Sequence, residues 1–210
     1  MGVVSFAHGA DSIPDEKLVF YTNSKSENLV RQAEIIETNL RMALSLAAEP
    51  SAVRPPMSIP LAGVSYTQVG ASKGLKMDPL LNARVNHNGV DFIVPQGKTV
   101  CATAPGTVIL ASKSGKGQGN VVEVRHEGGY VSRYCHLATI SVRTGQRVKM
   151  GQKVGTVGSS GQTTAPHLHY EVKSGNGEWL DPLNCFFSEL DCDGYCNFLY
   201  MGTKTEKSLD

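Results

Sequence analysis

Four of the six histidines fall in three short strings, HNGVD at 87–91, YCHL at 134–137 and PHLHYE at 166–171. Residue types of this kind, read together, spell a metal site. A catalytic zinc takes about three protein ligands, usually histidine with one carboxylate, and leaves a fourth position for water. His87, Asp91 and one histidine of the His167/His169 pair would supply that set.

The spacing places demands on the chain. Residues two apart in a strand share a face, so His167 and His169, set among Leu168, Tyr170 and Val172, project side by side into one cleft. His87 and Asp91 are four apart, which a helix would align. Asn88-Gly89 is a turn dipeptide, however, and Val90, Phe92, Ile93 and Val94 before Pro95 favour strand. In a straight strand the two ligands would sit roughly 13 Å apart at about 3.3 Å per residue, so the Asn88-Gly89 turn has to bring His87 back toward Asp91. No glutamate stands in an HExxH arrangement, which leaves a histidine as the candidate proton-transfer group. Glu171 shares a strand face with His169 and either orients it or is a surface carboxylate.

The runs HNGVDF, GKTVCATAPGTV, GQGNVVEVRH, YVSRYCHL, VKMGQKVGTVGSSG and PHLHYEV resemble, in order and spacing, the LytM/lysostaphin-type zinc metallopeptidases, which cut bacterial peptidoglycan peptides. The resemblance covers about residues 70–187. It implies one Zn²⁺ per chain held by His87, Asp91 and His169, with His136 and His167 as catalytic histidines beside the bound water. It also implies peptidoglycan peptides as substrate and a bacterial envelope or extracellular location. Cys135 stands where the family usually has a small residue, and Ala165 replaces the usual glycine before Pro166-His167. Neither departure touches a ligand. The alternative within the resemblance is a catalytically inactive activator of a cell-wall amidase, but such members typically lack zinc ligands and here none is missing. A third reading is a plain binding or structural β module whose histidines pick up metal adventitiously.

Other residues of the same types carry less. An isolated HxH or HxxxD is more often a pair of surface or core residues than a ligand set. His126, after the alternating Val122 and Val124, reads as a solvent-side strand end, and His8 as inert. Five cysteines leave at least one thiol unpaired within a monomer. Cys185, Cys192 and Cys196 cluster after the catalytic motifs and could share one disulfide, while Cys101 reads as a small buried hydrophobe. The glycine-rich loop at 115–119 lacks the features of a phosphate loop and reads as a flexible turn at the cleft rim.

The elements that must position these residues follow from composition and pattern. The chain has 210 residues, 40% hydrophobic content and a formal net charge of +1, enough for one buried domain with an appendage and no electrostatic case for nucleic acid. No apolar stretch approaches the roughly 18 residues of a membrane span. Met1–Ala7 lacks the features of a secretory signal, so an envelope role implies export information outside this chain. Ser24 and Glu27 open a capping box for an amphipathic helix over about 24–49, with Leu29, Ala33, Ile36, Leu40, Ala43 and Ala47 on one stripe, which packs on the enzyme domain or on a partner helix. Pro50, Pro55, Pro56 and Pro60 make a stiff linker over 50–61.

Beyond the linker the pattern becomes short β runs at 90–94, 99–102, 107–111, 120–126, 130–136, 141–143, 153–157 and 167–173, divided by glycines. The expected fold is mainly β, an antiparallel sheet or sandwich catalytic domain of LytM type over 62–187. It is preceded by the helical segment 1–61 and followed by a cysteine-containing tail at 188–210. The glycine-edged cleft offers few bulky pocket formers, which suggests an extended substrate with small side chains.

Overall fold

The computed structural model describes residues 53–188, together with Glu37 and Arg41. The remainder of the predicted helix, His8, and Cys192 and Cys196 lie outside the described residues. Residues 53–188 contain twelve strands, three short 3-10 segments and no α-helix.

All strand pairings are antiparallel. A hairpin, β1 (Gly74–Asp78) with β2 (Ala83–His87), leads into β3 (Gly89–Phe92). The other strands are β4 (Thr99–Cys101), β5 (Gly106–Ser112), β6 (Val121–Arg125), β7 (Val131–Cys135), β8 (Leu137–Ile140), β9 (Arg147–Val148), β10 (Lys153–Val157), β11 (Leu168–Lys173) and β12 (Trp179–Leu180). The main sheet runs β12-β11-β7-β6-β5-β9, with β3 also on β11, and a second sheet runs β4-β10-β8.

The main sheet separates two environments by strand alternation. Val122, Val124, Tyr134, Leu168, Tyr170 and Val172 bury themselves in the hydrophobic core, joined there by Val100, Leu137, Val154 and Val157 of the second sheet. Burial of large side chains such as these stabilises the fold by about 1.5–3 kcal/mol each. The alternate positions of β7 and β11, Arg133, Cys135, His169 and Glu171, lie on the opposite face. Residues Leu168 through Val172 of β11 are all buried, so its polar members need internal partners. Those partners form the site described below.

The sequence pattern and the structure part company at five places. The β1–β2 hairpin has an inverted pattern: Lys76 and Asp78 are buried while Leu75 is 58% exposed, so alternation pointed nowhere. The run at 141–143 is not a strand. The strand there is β8, which follows at once on His136, whose left-handed φ of 55° divides β7 from β8. The second half of the proline-rich stretch is docked on the domain: Pro55, Pro56, Pro60 and Leu61 are buried, and the Cys101 amide donates to the Pro60 carbonyl at 2.9 Å.

His126 is the fourth. It is 7% exposed, its Nδ1 donates to the Pro105 carbonyl at 2.8 Å, and its Nε2 lies 2.7 Å from Ser132 Oγ. A buried polar chain continues to Tyr134, Thr103 and Tyr170. Burial lowers the His126 pKa, with the Pro105 carbonyl opposing. It is a core residue, since its polar edges are satisfied from inside the sheet, and nothing in the local alternation announces that. Cys101 is half-buried rather than buried, and Cys185 is a buried free thiol whose pKa is pushed up to about 12 by burial.

Candidate metal centre

Three strands bring the first set of residues together. His169 on β11 is in register with Asp91 on β3 and, across its other edge, with Cys135 on β7. Directly opposed residues share a face, so Asp91 and His169 converge. Gly89 permits this pairing, because a Cβ there would overlap the Tyr170 carbonyl. His87 ends β2 and Asn88 alone separates it from β3, so a one-residue break between two strands, with Gly89 already in β3, stands where the spacing predicted an Asn88-Gly89 turn.

The result is a tight triangle of donor atoms. His87 Nε2 lies 3.0 Å from Asp91 Oδ1 and 3.0 Å from His169 Nδ1, and His169 Nδ1 lies 2.9 Å from Asp91 Oδ1. All three residues are buried, His87 at 3%, Asp91 at 0% and His169 at 1% exposure. They form a group that could hold a metal ion.

The tautomers test the fit. His87 Nδ1 is 3.0 Å from the Ser72 carbonyl, an acceptor only, so Nδ1 carries the proton and the neutral ring presents a lone pair at Nε2. His169 Nε2 faces Glu171 Oε1 at 3.2 Å, which leaves the lone pair at Nδ1. Two nitrogen lone pairs and a carboxylate oxygen then meet within about 3 Å, an arrangement that repels itself unless positive charge sits among them. Tetrahedral zinc ligands at about 2.0–2.1 Å from the ion are roughly 3.3 Å from one another, a few tenths wider than this triangle. The donor set fits a cation of that class. Burial alone would raise the Asp91 pKa, but His87 and His169 outweigh it and hold the carboxyl well below the usual range.

A second layer holds His169 in place. Glu171 is 2% exposed and is held at 2.8 Å by Arg133 Nη1, while Arg133 Nε donates to Glu123 at 2.7 Å. Burial opposes ionisation of Glu171, but His169 and Arg133 more than offset it and lower its pKa. Glu171 is therefore a buried partner of His169 rather than a surface carboxylate. Carboxylates that orient a metal-binding histidine typically contribute about 10–100-fold in affinity, so Glu171→Gln is expected to weaken zinc binding by that order in a competitive chelator titration. Unchanged affinity would reduce the contact to packing.

His136 and His167 stand against this group. Their rings are 4.8 Å apart at the centroids, and His136 lies 6.1 Å from His169. Simple alternation would put His136 on the face opposite Cys135. Its left-handed backbone breaks that alternation and turns the ring to the metal face. The turn is held by Gln118, whose carbonyl accepts from the His136 amide at 2.9 Å, and by Ser160, whose carbonyl accepts from Nδ1 at 2.8 Å. His167 Nδ1 faces the Ala165 carbonyl at 2.9 Å, and its Nε2 lies 3.8 Å from Asp91 Oδ1. In both rings Nδ1 is committed to a carbonyl, so Nε2 is the nitrogen that can exchange a proton. Gly158 lets the two segments meet: a Cβ there would overlap Ala138 and the His136 carbonyl.

All five residues singled out from the sequence thus come together, and their supports were harder to find. Ser72, Ala165 and Ser160 act through backbone carbonyls, which leave no side-chain signature. Arg133 had one available signal, its place two residues before Cys135 on the ligand face of β7. The loop at 115–119 belongs to the site wall, since Gln118 reaches Glu171 and Arg133 at 3.4 Å each. Beside His87 opens a cleft of about 680 Å³, lined by Lys73, Asn86, Glu178, Trp179 and Asp181 among others.

Comparison with known proteins places this geometry. Residues 85–182 match the family described as Peptidase family M23. The chain is 39% identical over 119 residues to the DD-carboxypeptidase/endopeptidase Mpg of Neisseria meningitidis serogroup B, covering 57% of this chain and 27% of that protein. It is 40% identical over 96 residues to the peptidoglycan DD-endopeptidase ShyC of Vibrio cholerae, covering 46% of this chain and 22% of the relative. The chain therefore spans about a quarter of the length of these relatives. Among solved structures, the catalytic domain of the antimicrobial peptidase lysostaphin from Staphylococcus simulans aligns with a TM-score of 0.50 and 33% identity, covering 55% of this chain and 88% of that one. A zinc containing peptidase from Vibrio cholerae aligns with a TM-score of 0.50 and 39% identity, over 55% of this chain and 35% of that one. With the His/Asp/His group, the antiparallel sheet that carries it and these alignments in agreement, the chain belongs to Peptidase family M23, the LytM/lysostaphin group of peptidases.

Proposed function

We propose that the chain is a zinc-dependent endopeptidase that hydrolyses peptide cross-links or stem peptides of bacterial peptidoglycan, acting in the cell envelope or outside it. The observation that carries this reading is the convergence of the buried His87, Asp91 and His169 donors with two further histidines, His136 and His167, packed against them. An intact ligand set favours an active enzyme over an amidase activator. The relatives named as DD-endopeptidases support peptidoglycan as the substrate.

Hydrolysis of an amide needs a nucleophile at neutral pH, stabilisation of the developing oxyanion and a proton for the leaving nitrogen. When bound by His87, Asp91 and His169, zinc supplies Lewis acidity that brings the pKa of a water to about 7 and polarises the scissile carbonyl. His136 and His167 supply the rest. Each presents Nε2 while a backbone carbonyl fixes Nδ1, so each ring is oriented to take a proton from the attacking water, hand one to the leaving amine or donate to the oxyanion. Burial of both rings at 0% exposure strengthens these interactions by excluding bulk water.

The test uses purified sacculi. Incubation is expected to release fragments with new amino termini, detected by mass spectrometry, with activity lost on chelation and recovered on adding zinc. Sacculi of several wall types left intact by the zinc-loaded protein would favour the amidase-activator reading.

A further inference from the structure

The GQGN run at 117–120 ends on a residue whose hydrogen bonds all converge around His136. Asn120 uses every polar group it has. Its side-chain Oδ1 accepts from the Ser114 amide at 3.1 Å, and its Nδ2 donates to the Leu137 carbonyl at 2.7 Å. Its backbone amide donates to Ser160 Oγ at 2.9 Å, and its carbonyl accepts from the Leu137 amide at 3.1 Å. Because an amide can only donate and a carbonyl only accept, the Ser114 and Leu137 contacts fix which way the carboxamide points. Aspartate could not make both.

Ser160 closes the circuit. Its Oγ accepts from the Asn120 amide and donates to the Leu137 carbonyl at 2.8 Å, so both lone pairs of that carbonyl are engaged. The main-chain carbonyl of Ser160 then meets His136 Nδ1 at 2.8 Å. Ser160 has only a long second tie to this turn, its amide 3.5 Å from the His136 carbonyl, so the side-chain bonds carry most of the constraint. Gly119 lets the two loops approach, since its φ is 67° and a Cβ there would overlap the Ser160 carbonyl. Leu137 anchors the arrangement in the core at 0% exposure.

A neutral imidazole has two tautomers, and the partner of one ring nitrogen decides where the proton sits on the other. A carbonyl makes that choice only as firmly as it is itself held. We infer that Asn120 and Ser160 are positioning residues for His136, a hydrogen-bonded clasp that keeps the ring in its Nδ1–H tautomer and leaves Nε2 to exchange the proton. The kinetic consequence rests on the endopeptidase reading. The tautomer does not.

The test uses the zinc-loaded full chain and two variants. Asn120→Asp sets an acceptor against the Leu137 carbonyl, and Ser160→Ala removes the hydroxyl while keeping the backbone carbonyl. Nitrogen NMR of isotope-labelled histidine, with the His136 signals assigned from their absence in His136→Asn, is expected to show one Nδ1–H tautomer in the parent and a mixture in both variants. Turnover of a cross-linked peptidoglycan peptide should fall about tenfold in kcat, short of the roughly hundredfold that a 1 Å misplacement can cost, with KM and zinc content unchanged. Thr139→Val is the control, because it breaks the exposed 2.8 Å bond to Thr156 on the same strand as Leu137 without touching the clasp. It should lower thermal stability and leave both tautomer and kcat at parental values. A single Nδ1–H tautomer in either folded variant, or the same tautomer mixture in Thr139→Val, overturns the clasp. Mixed tautomers in the variants together with no turnover by the unmodified chain keep the clasp and discard the endopeptidase reading. Parental turnover with an unbroken tautomer discards the clasp alone.

Discussion

Asp91→Ala protein is expected to purify without stoichiometric zinc, with affinity down by more than the roughly 10–100-fold typical of losing an outer partner of a ligand. Asp91 is the shared vertex of the donor triangle, 3.0 Å from His87 and 2.9 Å from His169, and it is the only anion in it. Its removal leaves two neutral imidazoles facing each other, so both the chelate and its charge are lost together. His87→Ala should act in the same direction but keep the anion. Elemental analysis of both variants, with a chelator competition for the affinities, decides the matter. Near-stoichiometric zinc in both would move the ligand assignment elsewhere. Because the ligating forms are an ionised carboxylate and neutral imidazoles, apparent affinity should also fall as the pH is lowered.

The convergence of His87, Asp91 and His169 was legible because its geometry is local. HLH at the start of β11 and HNGVD across the one-residue break between β2 and β3 leave little choice of where the side chains point, and His169 is in register with Asp91 through the antiparallel pairing of two short runs. The β runs at 90–94, 120–126 and 167–173 were legible for the same reason, since every second residue enters the hydrophobic core. What stayed hidden was set by tertiary packing. The hairpin of β1 and β2 buries Lys76 and exposes Leu75, so its pattern runs against the usual sense. His126 turns inward because Ser132 and the Pro105 carbonyl meet it there, partners that only the folded sheet assembles. The position of His136 depended on a single backbone angle, which no alternation rule supplies. The segment before residue 53 lies outside the described residues apart from Glu37 and Arg41, and its predicted helix stands as an expectation.

That backbone angle makes His136 the sharper probe of chemistry. His136→Ala is expected to retain full zinc content while turnover on peptidoglycan falls by about a hundredfold or more, the range for losing a proton-transfer or oxyanion-stabilising group. Metal content should hold because His136 makes no contribution to the donor triangle; its ring centroid is 6.1 Å from that of His169, and its Nδ1 is engaged with Ser160. The loss should appear in kcat more than in KM, since the proposed contact forms as charge develops and not when the peptide first binds. Alanine at 136 must also hold a left-handed φ of 55°, a conformation that histidine adopts more readily, which adds a modest stability loss. His136→Asn separates the two effects, because asparagine tolerates that conformation better while lacking an imidazole to exchange the proton. If His136→Asn folds as stably as the parent, holds its zinc and still turns over at the parental rate, the ring is structural and His167 must carry the proton alone.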